Sequence, residues 1–310
     1  MTATTLAPAT VSVPSNLVPR EFVHRASFTE VFLTGWRHTG TDTFTVTAQW
    51  PRRHSFYTAY NGLHDPLLLC ETIRQCLPLL SHAAYDVPFG HRLSWDYFRY
   101  TLNNHNALRI GVAPTELELR VTCSDLRRRG NQLTAISMRF EIFRDSMLLG
   151  VAETRFGCYS PAIYRRLRAD HADLDGALAA ALAPAPPVDP RTVGRYLPED
   201  VVLSPGERPQ QWQLRSDPTH PVLFDHPVDH APGMLLLEAV RQAASHEPDA
   251  LPVAMDVSFF RYVEYDSPCW ISAEPGIPDV LGRPRLAVTA RQDDQVSYSA
   301  TVTTEQLTAR

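Results

Sequence analysis

The chain has 310 residues, of which 44% are hydrophobic and 20% charged, as in an ordinary globular protein of one or two domains. Its net charge of −5 does not favour general nucleic-acid binding, and no apolar run approaches the length of a membrane-spanning helix. All 29 basic residues are arginine. The lack of lysine excludes Schiff-base catalysis, pyridoxal-phosphate enzymes included, and a P-loop lysine.

The first residues indicate an intracellular chain with a flexible start. Residues 1–17 are rich in Thr, Ala and Pro and contain no basic residue, so they lack the charged start of a signal peptide. We expect a flexible N-terminal tail there and a cytoplasmic protein. The five scattered cysteines are then expected to be reduced thiols: Cys70, Cys76, Cys123, Cys158 and Cys269.

The hydrophobic pattern predicts the elements in chain order. Thr115–Cys123 alternates as a half-buried strand does, and Ala135–Phe143 is rich in Ile, Phe and Met. Ser160 and Pro161 are typical of the N-cap and first residue of a helix, which we expect over Ala162–Arg168.

The second half continues with one helix and two strands. Pro232-Gly233 ends a loop, and the apolar run Met234–Leu237 predicts a buried helix after it. Arg285–Ala290 and Val296–Val302 alternate as strands do.

The two halves of the chain repeat each other. The spacing Glu-x-x-Arg-Gln occurs twice, as Glu71, Arg74 and Gln75 and as Glu238, Arg241 and Gln242. Three further matches keep the same order: His54 with His220, Tyr97–Tyr100 with Phe259–Tyr262, and Arg25–Leu33 with Arg195–Leu203. Four matched features in one order indicate a duplication.

A duplicated unit of one buried helix and a curved antiparallel sheet is a hot-dog domain. We therefore expect an α+β double hot-dog fold whose two domains dock as an intramolecular pseudo-dimer. The predicted domains are residues 18–180 and 193–310, joined by a stiff Pro/Ala-rich connector at residues 181–192.

Glu238 and Arg241 are the leading candidates for chemistry. Residues three apart share a helix face, and the apolar run before Glu238 predicts burial, which raises the pKa of a carboxyl group and suits a general base. Arg241 could grip a phosphate with paired hydrogen bonds, and the helix N-terminus at Gly233 could stabilise an oxyanion. A weak surface ion pair is the alternative.

Three other groups have competing interpretations. His226 and His230 could bind a metal, but a loop that shapes the helix entry fits them better because Pro227 interrupts the segment. Cys70 could be a nucleophile, although a buried free cysteine is usually a small apolar residue. The cluster Arg127–Gly130 is expected to be a turn between strands, or else a contact for an acidic carrier protein.

The helix entry of the second half resembles that of hot-dog acyl-carrier-protein dehydratases. The match covers Pro232-Gly233, the apolar run, Glu238 and Gln242; the histidine loop is shorter here, and Arg241 stands where those enzymes have a small residue. Glu-x-x-Arg-Gln in both halves, with Val31–Trp36 and His64–Leu67, is similar to the A-factor synthase (AfsA) family over nearly the whole chain from residue 23.

The AfsA resemblance implies an acyltransferase that joins a β-ketoacyl group from an acyl carrier protein to dihydroxyacetone phosphate, a precursor of γ-butyrolactone signals. It implies no cofactor, metal, nucleic acid or membrane. We expect the catalytic residues to be Glu238 and Glu71. The expected substrate-binding residues are Arg241, Arg74, Gln242, Gln75, Gly233, His226 and His230. The rival hypotheses are a hot-dog thioesterase or dehydratase that uses the same Glu, and a non-catalytic acyl- or lactone-binding regulator.

Overall fold

The computed structural model describes residues 18–245 and 250–307. The tail predicted at residues 1–17 lies outside the described residues. In the described part of the chain, no helix is long and apolar enough to cross a bilayer.

The described strands form a single antiparallel sheet, in which the second copy of the fold continues the first. The first copy contributes β1 Leu33–Gly40, β2 Thr43–Trp50, β3 Arg92–Leu102, β4 Thr115–Arg129, β5 Gln132–Arg144 and β6 Met147–Tyr159. The second contributes β7 Leu203–Pro205, β8 Gln211–Leu214, β9 Ala250–Phe259, β10 Cys269–Pro275, β11 Arg285–Gln292 and β12 Gln295–Gln306.

The strand order reveals the duplication directly. It runs β1-β2-β4-β5-β6-β3-β9-β12-β11-β10-β8-β7, so the second six strands repeat the order of the first six in reverse. The two copies meet where β3 pairs with β9, with Tyr97 opposite Ser258 and Thr101 opposite Ala254. The predicted double hot-dog fold with its intramolecular pseudo-dimer is confirmed.

Each copy packs one long helix against its part of the sheet. These are α1 Pro66–Ala83 and α4 Gly233–Ala243, and almost every side chain of both is buried. Two shorter helices follow β6, α2 Pro161–Arg168 and α3 Leu174–Ala179, and α2 begins with the predicted N-cap, because the Ser160 hydroxyl accepts from the amide of Ile163 at 3.4 Å. Short 3-10 helices complete the described fold: Arg20–Val23, Phe28–Glu30, His105–Leu108, Ala169–Ala172, Pro190–Val193 and Pro198–Asp200.

Two expectations differ from the structure. The arginines Arg127–Arg129 lie in the end of β4 and only Gly130 enters the turn, since its φ of +59° suits glycine. The match of Tyr97–Tyr100 with Phe259–Tyr262 is also wrong in position: the first segment lies inside β3, whereas β9 ends at Phe259. Residues 181–189 have no helix or strand, and the domain boundaries stay a prediction.

Candidate active site

The second repeated motif forms a buried ion cluster around Glu238. Both oxygens of this carboxylate accept hydrogen bonds from Arg195, at 2.8 and 2.6 Å, and from Arg241, at 2.8 and 2.7 Å. The amide of Gln242 donates a further bond at 2.6 Å. Arg241 also bonds to the carbonyl of Val193 at 3.0 Å. These contacts leave the carboxylate wholly surrounded by donors.

The first motif builds the same cluster around Glu71. Arg25 donates at 3.0 Å, Arg74 at 2.8 and 2.9 Å, and Gln75 at 2.8 Å. Arg74 also reaches the carbonyl of Val23 at 3.0 Å. The match of Arg25 with Arg195 in the sequence thus corresponds to a real structural equivalence.

The two clusters connect the two copies. Arg25 donates to the carbonyl of Val222 in the second copy at 3.1 Å, and Arg195 donates to the carbonyl of Phe56 in the first. Each cluster therefore joins a helix of one copy to a loop of the other.

The pKa values of both carboxylates are shifted in the direction opposite to the expectation. Burial by itself would raise the pKa of Glu238, but the charges and hydrogen bonds of Arg195 and Arg241 lower it to about 2. The same balance of burial against Arg25 and Arg74 lowers the pKa of Glu71 to about 2. The expected raised pKa is wrong, because a carboxylate held by two guanidinium groups is a very weak base.

A cavity lies between the two copies, and Arg25 and Arg74 of the first cluster line it. It has a volume of about 790 Å³, within the range of small-molecule sites. The first copy lines it with α2 and with Arg74, Arg92 and Trp95, and the second with His230, Gly233 and Arg261. Glu71, Gln75, Glu238, Arg241 and Gln242 are not among the lining residues.

The N-terminus of α4 opens onto this cavity. Its N-cap is Pro232, and no side chain caps the first turn. Trp95 packs so closely on Gly233 that a Cβ at this position would lie 2.4 Å from a carbon of the indole ring. Only glycine fits there, and no side-chain oxygen of the described residues accepts from the N–H groups of the first turn.

His230 stands on the loop just before that helix. Its Nδ1 lies 2.7 Å from Asp229 Oδ1, and Tyr164 donates to both oxygens of Asp229 at 2.7 and 3.0 Å. Burial would raise the pKa of Asp229, but the hydrogen bonds from His230 and Tyr164 lower it to about 2. The cavity therefore contains an imidazole oriented by an ionised carboxylate.

Two arginines at the cavity have no acidic partner among the described residues. Arg92, at the start of β3, lies 5.7 Å from the ring centre of Tyr164, and Arg261 follows β9. By contrast, Arg168 is held by both oxygens of Glu264. Arg92 and Arg261 are free to bind an anion.

The structure thus divides the predicted site residues into two groups. Arg74, Gly233, His226 and His230 line the cavity, whereas the two Glu and two Gln residues and Arg241 do not. The Cys70 thiol is buried and its pKa is raised well above the ordinary value, which does not suit a nucleophile. Sequence reasoning missed three residues that line the cavity, Tyr164, Arg92 and Arg261, and it considered Asp229 only as part of a possible metal site with His230. For Asp229, its place next to His230 was the available signal.

Comparison with known proteins places this chain in a family. The model of the A-factor biosynthesis hotdog domain matches residues 7–160 and 177–308. A 2-oxo-3-(phosphooxy)propyl 3-oxoalkanoate synthase of Streptomyces virginiae is 47% identical, over 94% of this chain and 98% of that protein. A synthase of the same name from Streptomyces coelicolor is 39% identical, over 92% and 90%.

Solved structures agree on the fold. An oleoyl thioesterase of Lactobacillus plantarum matches 86% of this chain and 97% of its own, with a TM-score of 0.51 at 12% identity. The 12:0-ACP thioesterase of Umbellularia californica matches 87% and 99%, with a TM-score of 0.50 at 10% identity. At such identities the likeness extends to the fold alone. On the sequence matches, the chain belongs to the A-factor biosynthesis hotdog-domain (AfsA) family.

Proposed function

We propose that this protein is an acyltransferase that joins a 3-oxoacyl group, carried as a thioester, to the hydroxyl of dihydroxyacetone phosphate. The product is the ester that gives the Streptomyces relatives their name. Such an ester can close to a butenolide by intramolecular condensation and so serve as a precursor of a γ-butyrolactone signal. We propose an acyl carrier protein as the donor of the acyl group.

The proposal rests on one observation: backbone N–H donors and unpaired arginines lie in the same cavity. The uncapped first turn of α4 offers N–H donors to the oxyanion that forms when a thioester carbonyl is attacked. Arg92 and Arg261 offer guanidinium groups that no acidic residue of the described chain occupies, which suits a phosphate. Met234 and Leu236 add apolar lining for an acyl chain.

In this proposal the repeated motifs have other roles than those expected from the sequence. We assign Glu238 and Glu71 to positioning, because each holds two arginines and joins the two copies. Arg241 and both glutamines belong to the same buried clusters. Arg74 lines the cavity while bonded to Glu71, so it contributes positive charge near Arg92 and Arg261 rather than a free clamp.

The test is a product analysis with the full-length protein. A 3-oxoacyl carrier-protein thioester, or its small N-acetylcysteamine analogue, is incubated with and without dihydroxyacetone phosphate and analysed by mass spectrometry. We expect the phosphorylated ester only when both substrates are present. Unphosphorylated dihydroxyacetone serves as the matched acceptor control and should react far more slowly.

The rival functions predict other outcomes for these substrates. A thioesterase would release the free 3-oxo acid in both reactions, and a dehydratase would act on a 3-hydroxyacyl thioester and ignore dihydroxyacetone phosphate. A regulator would bind the acyl compound and leave it unchanged. Any of these results would contradict the proposed transfer.

A further inference from the structure

The loop before α4 holds one histidine in a fixed orientation. Asp229 is buried, and its carboxylate accepts from Tyr164 on one side and contacts His230 Nδ1 at 2.7 Å on the other. Arg168 donates to the backbone carbonyl of Asp229 at 3.2 Å and anchors the loop to Glu264. The imidazole is thus positioned by a network that spans both copies.

The contact with Asp229 determines which ring nitrogen of His230 is free. An ionised carboxylate only accepts hydrogen bonds, so Nδ1 must carry the proton that bonds to Asp229. In the neutral imidazole Nε2 then has a lone pair. Nε2 makes no hydrogen bond within the described residues, and the side chain, 25% exposed, lines the cavity.

Two other histidines of the cavity are less suited to accept a proton. His24 is bonded through Nε2 to His82 at 2.8 Å, and burial together with the charge of Arg74 lowers its pKa to about 3. His226 lies 3.5 Å from Asp225, whose two oxygens already accept from backbone amides of the first copy. His91 and His171 also line the cavity, but His91 Nδ1 has no hydrogen-bond partner in the described chain and His171 Nε2 lies 3.6 Å from Asp266. Among the described histidines of the cavity, His230 combines an orienting hydrogen bond with a free nitrogen.

We infer that His230 is the general base of the transfer, with Nε2 taking the proton of the acceptor hydroxyl, and that Asp229 and Tyr164 position its ring. This inference rests on the proposed function. The hydroxyl oxygen forms a bond to the thioester carbon as its proton moves to Nε2. The C–S bond then breaks, and His230 returns the proton to the leaving sulfur. The attacked carbonyl oxygen faces the first turn of α4, which begins three residues after His230.

The test compares His230→Ala and His230→Gln with the wild type. Neither alanine nor glutamine can act as a base near neutral pH. We therefore expect kcat to fall by about 10²- to 10⁴-fold while the KM for the acyl thioester changes little. Added imidazole should restore part of the activity of His230→Ala, because it fits the space that the ring leaves. His38→Ala, on the exposed part of β1, is the control and should lose nothing.

Asp229→Asn tests the positioning role separately. The asparagine amide can donate to Nδ1 and so favours the tautomer that protonates Nε2, which should lower kcat without rescue by imidazole. Wild-type turnover in either His230 variant, or an activity loss in His230→Ala that imidazole does not restore, would overturn the inference. If the wild type itself makes no ester, the proposed function fails before any variant is compared.

Discussion

The first turns of the two long helices differ although the helices are copies of one element. The N-terminus of α1 is buried, and the side chain of Asp65 caps it by accepting from the amide of Leu67 at 2.9 Å. The N-terminus of α4 has Pro232 in the same place, has no capping side chain, and opens onto the cavity. A side chain caps one first turn, whereas we propose that a ligand meets the other.

The ion clusters, in contrast, are the same in both copies. Glu71 and Glu238 each bind two arginines and one glutamine, and each cluster reaches a carbonyl of the opposite copy. The repeated clusters therefore join the two copies, whereas some groups that line the cavity occur in one copy only. The helix α2, which follows β6, is one such feature, and it supplies Tyr164.

The largest expected effect comes from breaking one ion cluster. Glu238→Gln leaves Arg241 buried without its carboxylate, and Arg195 with only the longer contact to Asp65 at 3.5 Å, which should cost about 3–5 kcal/mol in the free energy of unfolding. Glu71→Gln should cost less, because the Arg74 side chain is 19% exposed against 10% for Arg241. Urea unfolding of the full-length variants measures both.

The control for this pair is Glu153→Gln. Glu153 makes an exposed ion pair with Arg139, so its loss should cost about 0–1 kcal/mol. A Glu238→Gln protein as stable as that control would contradict the structural role of the cluster.

Lowering the pH should remove the contribution of the same clusters to stability. A carboxylate whose pKa is about 2 in the folded chain contributes stability that is fully present above its ordinary value of about 4.5 and is lost as the pH falls toward 2. The contribution of Glu238 is about 3 kcal/mol. The difference in stability between wild type and Glu238→Gln should shrink by that amount between pH 5 and pH 2. A difference that stays constant or grows as the pH falls would show that the arginines do not lower the pKa of Glu238.

Contacts between residues close in the sequence were predicted, whereas contacts between distant residues were not. The hydrogen bonds between Glu238 and Arg241 follow from a three-residue spacing on a helix. The partner Arg195 is 43 residues away, and without it burial alone predicts the wrong direction of the pKa shift. Parts of β4, β11 and β12 were predicted from alternation, which needs only neighbouring residues.

The cavity depends on how the two copies dock, so most of its lining could not be predicted from the sequence. Tyr164 meets Asp229 across 65 residues, and Trp95 of the first copy packs on Gly233 at the start of α4. The glycine was recognised as a helix start, but its close contact with an indole was not predictable from a motif.

The proposed phosphate clamp gives an effect of intermediate size. Hydrogen bonds to charged groups contribute about 1.5–3 kcal/mol, so Arg92→Ala or Arg261→Ala should raise the KM for dihydroxyacetone phosphate by about tenfold or more. The KM for the acyl thioester should stay the same. Arg99→Ala is the control on the same strand as Arg92, because Arg99 pairs with Asp256. An unchanged acceptor KM in both cavity variants would remove these arginines from the phosphate site.

The smallest expected effect tests the comparison of the two first turns directly. Pro232→Ser gives α4 the capping oxygen that α1 has, and an N-cap is worth about 1 kcal/mol. The serine hydroxyl would accept from an N–H group that we assign to the oxyanion, so stability should rise while kcat falls by about fivefold. Pro232→Ala, which adds no oxygen, is the reference for both measurements.

At the N-cap of α1, gain or loss of a capping oxygen should affect stability and leave kcat unchanged. Asp65→Ser keeps a capping oxygen and loses the ion pair of Asp65 with Arg195 at 3.5 Å, whereas Asp65→Ala loses both. The difference in unfolding free energy between these two variants isolates the cap and should be about 1 kcal/mol, with equal kcat. If Pro232→Ser keeps the kcat of Pro232→Ala, or if kcat differs between the two Asp65 variants, the free first turn of α4 is not what distinguishes the working copy.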